Sequence, residues 1–195
     1  TGCNLRCTYC DTAYAFKGGR RVRISEIFET LRPWEVRHVL LTGGEPLLQR
    51  NTPALLDALV SAGYDVSIET HGELPLNAYA GRARLIMDIK TPSSGMNRGG
   101  YRVNLPLLGP RDEVKFVIAS QADYFWARDL LRATQMPAVA AVLFSPVVAG
   151  AVGAPGAVEG VEPAWIAERI LEDRLPVRMQ LQLHKFIWGT NRRGV

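Results

Sequence analysis

The chain's three cysteines all fall within its first ten residues, where TGCNLRCTYC spaces Cys3, Cys7 and Cys10 as C-x3-C-x2-C. Three thiolates this close can converge on one small object. An odd number does not close a disulfide framework, and clustered thiols without an export signal point to a reducing compartment and a metal. A structural zinc ion calls for four ligands. The other candidates are His38, His71 and His184, each distant and single. An iron–sulfur cluster normally takes four cysteines, so three imply a cluster with one iron left open to something else. Spacing alone leaves three readings: such a cluster, a zinc site, or an unliganded loop.

The elements that must position these thiols alternate along the chain. Helical spacing or capping marks 24–34, 51–63, 121–134 and 162–174 as helices, with Ser25 placed to cap the first. The second is the best signposted: Asn51 or Thr52 caps it, Pro53 sits in its first turn and Gly63 lies past its end. Apolar runs at 36–44, 64–72, 83–90, 112–119 and 138–147 read as strands, and 177–188 as a last strand or extended segment. Apolar strands alternating with helices imply an α/β fold with a parallel sheet covered on both faces. Residues 91–110, rich in Gly, Pro and Ser, read as a loop replacing a crossover helix, and 148–160 as a flexible small-residue segment. No repeat or domain boundary appears, so 1–195 reads as a single domain. A cysteine loop in such a fold should follow a strand, yet only Thr1 and Gly2 precede Cys3. The expectation is a missing N-terminal segment of roughly two or three dozen residues carrying the first strand.

Composition narrows the class. A charged fraction of 22% and a hydrophobic fraction of 47% are ordinary for a globular protein. No apolar run is long enough to span a membrane, and no cleavable leader is visible, so the expectation is a cytoplasmic protein. The net charge of +4 comes with basic bunches at 16–23 and 190–195. These read either as a solvated loop and tail or as attraction for an anionic small molecule. No nucleic-acid module accompanies them.

C-x3-C-x2-C with Tyr9 before its last cysteine resembles the signature of radical S-adenosylmethionine (SAM) enzymes. LLTGGEPLL (40–48) resembles their Gly-Gly-Glu motif at the end of the next strand. The resemblance implies a [4Fe–4S] cluster on Cys3, Cys7 and Cys10, its fourth iron chelated by the amino and carboxylate groups of SAM. Gly43 and Gly44 would then let backbone approach a ligand closely, against a rival reading as a tight turn. Glu45 could accept from the SAM ammonium, or serve as a charge at a helix start. Glu69 could bind ribose hydroxyls, or be solvated. Asp88 and Lys90 flank the next strand end and could equally form a surface ion pair. His71 and His184 stay unassigned.

GCNLRCTYCDT, TGGEPLLQ, IETHG, DIKTPSSG, DEVKFVIA and LQLHKFIWGTNRRGV together resemble the 7-carboxy-7-deazaguanine synthase family over essentially the whole chain. That resemblance implies a partial, reduced (β/α)6 radical SAM barrel and conversion of 6-carboxy-5,6,7,8-tetrahydropterin to 7-carboxy-7-deazaguanine with loss of ammonia. It implies Mg²⁺ on Thr12; Tyr9, Cys10, Asp11, Gly44, Asp88, Ile89 and Lys90 along SAM; and Thr42 facing the pterin. It further implies a flavodoxin or ferredoxin-type reductant and a homodimer. Two rivals stand beside it: an activase that makes a glycyl radical on a partner protein, and a small zinc-binding or electron-carrier module. Thr12 and the HKFIWG run argue against the activase.

Overall fold

The alternation of apolar runs and capped helices becomes one parallel sheet. The structure is a computed structural model that describes residues 1–134, 136–147, 160–189 and 192. Strands β1 (His38–Leu41), β2 (Asp65–Thr70), β3 (Arg84–Ile89), β4 (Glu113–Ile118), β5 (Ala141–Pro146) and β6 (Arg178–Met179) lie side by side in chain order. Every neighbouring pair is parallel. Parallel neighbours need a crossover after each strand, which is why the sheet progresses one way, as in a β/α barrel. Among the described residues it is open between β1 and β6.

Helix α1 (Ile24–Leu31) precedes β1; the crossovers include α2 (Thr52–Ser61), α3 (Gln121–Ala133), α4 (Met136–Val139) and α5 (Pro163–Glu172), and α6 (Leu183–Trp188) follows the last strand. Helix α2 starts and stops as its signals predict, with Asn51 at the N-cap and Gly63 beyond its end at φ +84°. The cap of α1 is Arg23, not Ser25. The Glu26 carboxylate reaches back to accept from the Arg23 N–H at 3.0 Å, so the helix begins at Ile24, two residues before a Ser25 cap would start it. The first residues of 138–147 belong to α4, and the strand starts at Ala141. The extended reading of 177–188 holds for two residues only. Beyond them Leu183, Phe186 and Ile187 fall at helical spacing and the chain coils into α6. The small-residue segment expected at 148–160 lies outside the described residues apart from Gly160.

Side chains on the sheet alternate. Ile68 of β2, Leu85, Met87 and Ile89 of β3, Val114, Phe116 and Ile118 of β4 and Phe144 of β5 pack outward against Leu56 and Leu59 of α2, Tyr124 of α3 and Ile166 of α5 in one core. The intervening residues Glu69, Asp88, Lys115 and Val117 face inward to a cavity. The sequence reading, which found no clean polar alternation, is corrected here: only one face is a dry core, and the other carries charge.

Between β3 and β4 the chain makes no crossover helix, as expected from its composition, and residues 91–110 form short 3-10 turns. Side chains replace the missing helical hydrogen bonds. Asn104 donates to the carbonyls of Gly72 and Leu74 and accepts from the Leu76 N–H, while Glu73 accepts from the Gly100 N–H at 2.7 Å. Asp123, fully buried at the start of α3, accepts from the N–H groups of Ser93 (2.9 Å) and Ala119 (3.0 Å). Asp123→Ala should therefore strand the buried Ala119 N–H and the half-buried Ser93 N–H, and the loss of a buried partner costs about 1–3 kcal/mol. The expected outcome is a clear fall in the urea midpoint with an unchanged slope. An unmoved midpoint would mean that this joint does not hold the loop to α3.

Candidate active site

A cavity of about 670 Å³ opens at the C-terminal ends of the strands, within the size range of small-molecule sites. Cys3, Cys7 and Cys10 all line it. Their loop rests on the chain leaving β1. The Glu45 N–H donates to the Gly2 carbonyl at 2.7 Å, and the Gly2 N–H to Ala15 O at 2.8 Å. A Cβ on Gly44 would overlap the Gly2 carbonyl and crowd Cys3 Cβ, so this position must be glycine for steric reasons. Gly43 has φ +136°, which requires glycine for backbone reasons. On its far side the loop leans on the 91–110 turns, where Thr8 Oγ1 donates to Ser93 O at 2.6 Å and the Thr8 N–H to Ser94 O at 3.1 Å.

Glu45 is almost fully buried, and its carboxylate is engaged by protein donors. Oε1 accepts from the Leu47 N–H (3.0 Å) and Thr70 Oγ1 (2.9 Å), and Oε2 from the His71 N–H (2.9 Å). Burial raises its pKa against the pull of these donors. His71 continues the network. Its Nδ1 accepts from the Glu73 N–H, so the proton sits on Nε2, which donates to Asn4 Oδ1 at 2.8 Å. Burial, reinforced by the Lys90 charge, lowers the His71 pKa to about 4, so the ring is neutral. The Glu45 carboxylate joins β1 to β2 and, through His71, to the cysteine loop.

The inward faces of β2 to β4 carry paired charges. Lys90 Nζ donates to Asp88 Oδ2 at 2.8 Å, and Lys115 Nζ to Glu69 Oε1 at 2.9 Å. Burial works against both ammonium groups. Asp88 together with Tyr9 and Cys7 outweighs it at Lys90, and Asp88 with Glu69 does so at Lys115, so both pKa values end above normal. Asp88 Oδ1 is buried without a hydrogen-bond partner beside the cavity, and can accept from a ligand. Burial pushes the Cys7 thiol up to about 11 and raises Cys10. Metal ligation is what turns such thiols into thiolates. No three His, Cys, Asp or Glu side chains among the described residues are grouped as one metal ion would require. A cubane instead takes each thiolate on its own iron.

The structure thus brings Tyr9, Cys10, Asp11, Thr12, Thr42, Gly43, Gly44, Glu69, Asp88 and Lys90 to one cavity, with Cys3 and Cys7. Ile89 does not share it through its side chain, which is buried in the outer core. Sequence reasoning missed Lys115, although its place between apolar Val114 and Phe116 in DEVKFVI was a usable period-two signal. It also missed Gln182 and Lys185. The unassigned His184 lines the cavity, as does Arg192. Arg192 is the one described residue of the basic tail at 190–195.

Three cysteines and a Gly-Gly-Glu turn at one end of a parallel sheet define a radical SAM enzyme, and the sequence pattern of the Radical SAM superfamily matches residues 1–144. A 7-carboxy-7-deazaguanine synthase of Koribacter versatilis (strain Ellin345) is 45% identical over all of this chain and 88% of its own. One from Chlorobaculum tepidum is 41% identical over all of this chain and 85% of its own. The chain belongs to the 7-carboxy-7-deazaguanine synthase family. In fold it is similar to the crystal structure of QueE from Escherichia coli, with a TM-score of 0.64 at 16% identity over 93% of this chain and 81% of that one.

Gly44→Ala should push the cysteine loop off the β1 exit without touching a cysteine. Iron and sulfide per chain should fall severalfold while the far-ultraviolet circular dichroism is unchanged. Full cluster content in this variant would refute the close-approach argument.

Proposed function

We propose that this chain, acting as a single domain over 1–195, converts 6-carboxy-5,6,7,8-tetrahydropterin to 7-carboxy-7-deazaguanine with loss of ammonia. The observation that carries this is full-length similarity to synthases of that name, joined to a cavity lined by Cys3, Cys7, Cys10 and Thr12 together. Bound together and reduced, a [4Fe–4S] cluster and SAM supply the radical chemistry that takes a hydrogen from the pterin. In this reading the three cysteines hold the cluster. Lys90, kept charged by Asp88, offers a cation to a SAM carboxylate, while the Ile89 contribution is backbone. Glu69 retains Oε2 for a ribose hydroxyl, since Lys115 takes Oε1. Tyr9, Asp11, Gly43 and Gly44 border SAM, and Thr42 borders the pterin. Thr12 supplies an oxygen to Mg²⁺, which leaves the cation to keep waters or substrate oxygens as well.

Electrons come from a flavodoxin or ferredoxin-type carrier in this reading, and the enzyme works as a cytoplasmic homodimer. No helix among the described residues is long and apolar enough to cross a membrane.

Replacing Cys3, Cys7 or Cys10 by Ala should abolish cluster absorbance and SAM cleavage. A SAM-responsive cluster spectrum in any of the three would remove that thiol from the ligand set. Thr12→Val keeps the β-branched shape and deletes the oxygen. Cluster and SAM binding should persist while turnover of the pterin falls by about a hundredfold, the scale of a misplacement near one ångström, with partial rescue by excess Mg²⁺. Turnover and Mg²⁺ dependence identical to the parent protein would leave Thr12 a turn residue.

A further inference from the structure

We propose that Asp11, Lys185 and Gln182 form a clasp that both aims the Thr12 oxygen at the cation and fastens α6 against the cavity. The inference rests on the reading of Thr12 as the Mg²⁺ ligand. The two Asp11 oxygens have different tasks. Oδ1 accepts the Thr12 hydroxyl proton at 2.9 Å. Oδ2 faces α6, where Lys185 Nζ stands at 3.2 Å and Gln182 Nε2 donates at 3.2 Å. Lys185 Nζ also donates to Gln182 Oε1 at 2.6 Å, which closes the ring.

A hydroxyl has one proton and two lone pairs. With the proton committed to Asp11, the lone pairs of Thr12 are left for the cavity that Thr12 lines. A carboxylate behind a ligand in this way fixes its orientation and raises its basicity, and removing such a partner costs about 10–100-fold in metal affinity.

The attachment of α6 is the second half of the argument. Its apolar residues Leu183, Phe186 and Ile187 are 62%, 61% and 64% exposed, whereas Lys185 is 8% exposed. That inverts the usual amphipathic order. Among the described residues of α6, the buried ammonium and not an apolar face makes the anchoring contact. His184, next to it, lines the same cavity. The clasp therefore joins the metal ligand to the C-terminal wall of the site, so that a change in one is felt at the other. Asp11, Lys185 and Gln182 act here as positioning residues.

The experiment uses cluster-loaded protein with SAM and 6-carboxytetrahydropterin, and Mn²⁺ as a paramagnetic substitute for Mg²⁺. Lys185→Met should weaken Mn²⁺ binding by about tenfold and speed hydrogen exchange of the amides at 183–188, with iron content unchanged. Gln182→Leu should do the same more weakly, and Lys185→Arg should restore both readouts. Unchanged exchange in Lys185→Met would overturn the clasp itself. Faster exchange with wild-type Mn²⁺ affinity, in a protein where Thr12→Val does weaken Mn²⁺, would overturn the coupling. If Thr12→Val leaves Mn²⁺ binding intact, the metal reading fails, and the aiming half of the proposal with it.

Discussion

The buried carboxylate of Glu45 is the constraint on which the site depends. A charge in that position is costly unless each oxygen is hydrogen-bonded, and here the Leu47 and His71 N–H groups and the Thr70 hydroxyl do this. Two of these donors belong to the end of β2 and its exit, so the carboxylate fixes the β1 and β2 exits relative to each other. His71, thereby placed, reaches Asn4 in the cysteine loop. Gly2 is held from the same turn by the Glu45 N–H. One residue thus gives the three thiols their position through its side chain and its backbone. Removing it would leave buried donors unpaired in addition to losing a charge.

The sheet separates two tasks by the alternation of its side chains. The outward set is apolar and packs on helices. The inward set holds two cations and two anions in close pairs, which lets charge sit in a half-buried wall without large net cost. Pairing also leaves specific capacity unspent. Asp88 Oδ1 has no protein partner, and Glu69 is engaged through one oxygen only. Such unspent acceptors, beside ammonium groups that stay charged, suit a ligand carrying both hydroxyls and a carboxylate.

Much of this was legible in the sequence, because it rested on local signals. Cysteine spacing, a Gly-Gly-Glu turn after an apolar run, and a well-capped α2 each follow from short-range chemistry. What escaped depended on long-range contacts. Nothing near Glu45 announces that Thr70 and His71 will donate to its carboxylate. Ile89 lies between Asp88 and Lys90 and was read with them, although strand alternation turns its side chain outward. The alternation in 177–188 suggested a strand, but pairing with β5 ends after Met179, and the helix beyond it is held through Lys185 and Gln182. Lys185 was invisible because its partner lies far off in sequence, at Asp11.

The loop that replaces a helix between β3 and β4 has a reason in the same geometry. A crossover helix keeps its carbonyls for its own hydrogen bonds and presents side chains to its neighbours. The turns at 92–95 leave carbonyls free, and the cysteine loop uses them: Ser93 O takes the Thr8 hydroxyl and Ser94 O the Thr8 N–H. Thr91, fully buried, donates its hydroxyl to Val117 O and lies 3.4 Å from the Tyr9 hydroxyl. Asp123 then ties the Ser93 N–H to the start of α3. The irregular segment is therefore anchored at its start to β4 and α3, and it offers backbone acceptors to the thiol loop. Held between a carboxylate joint and a row of carbonyls, the loop can keep its thiols facing the cavity without a strand pairing of its own.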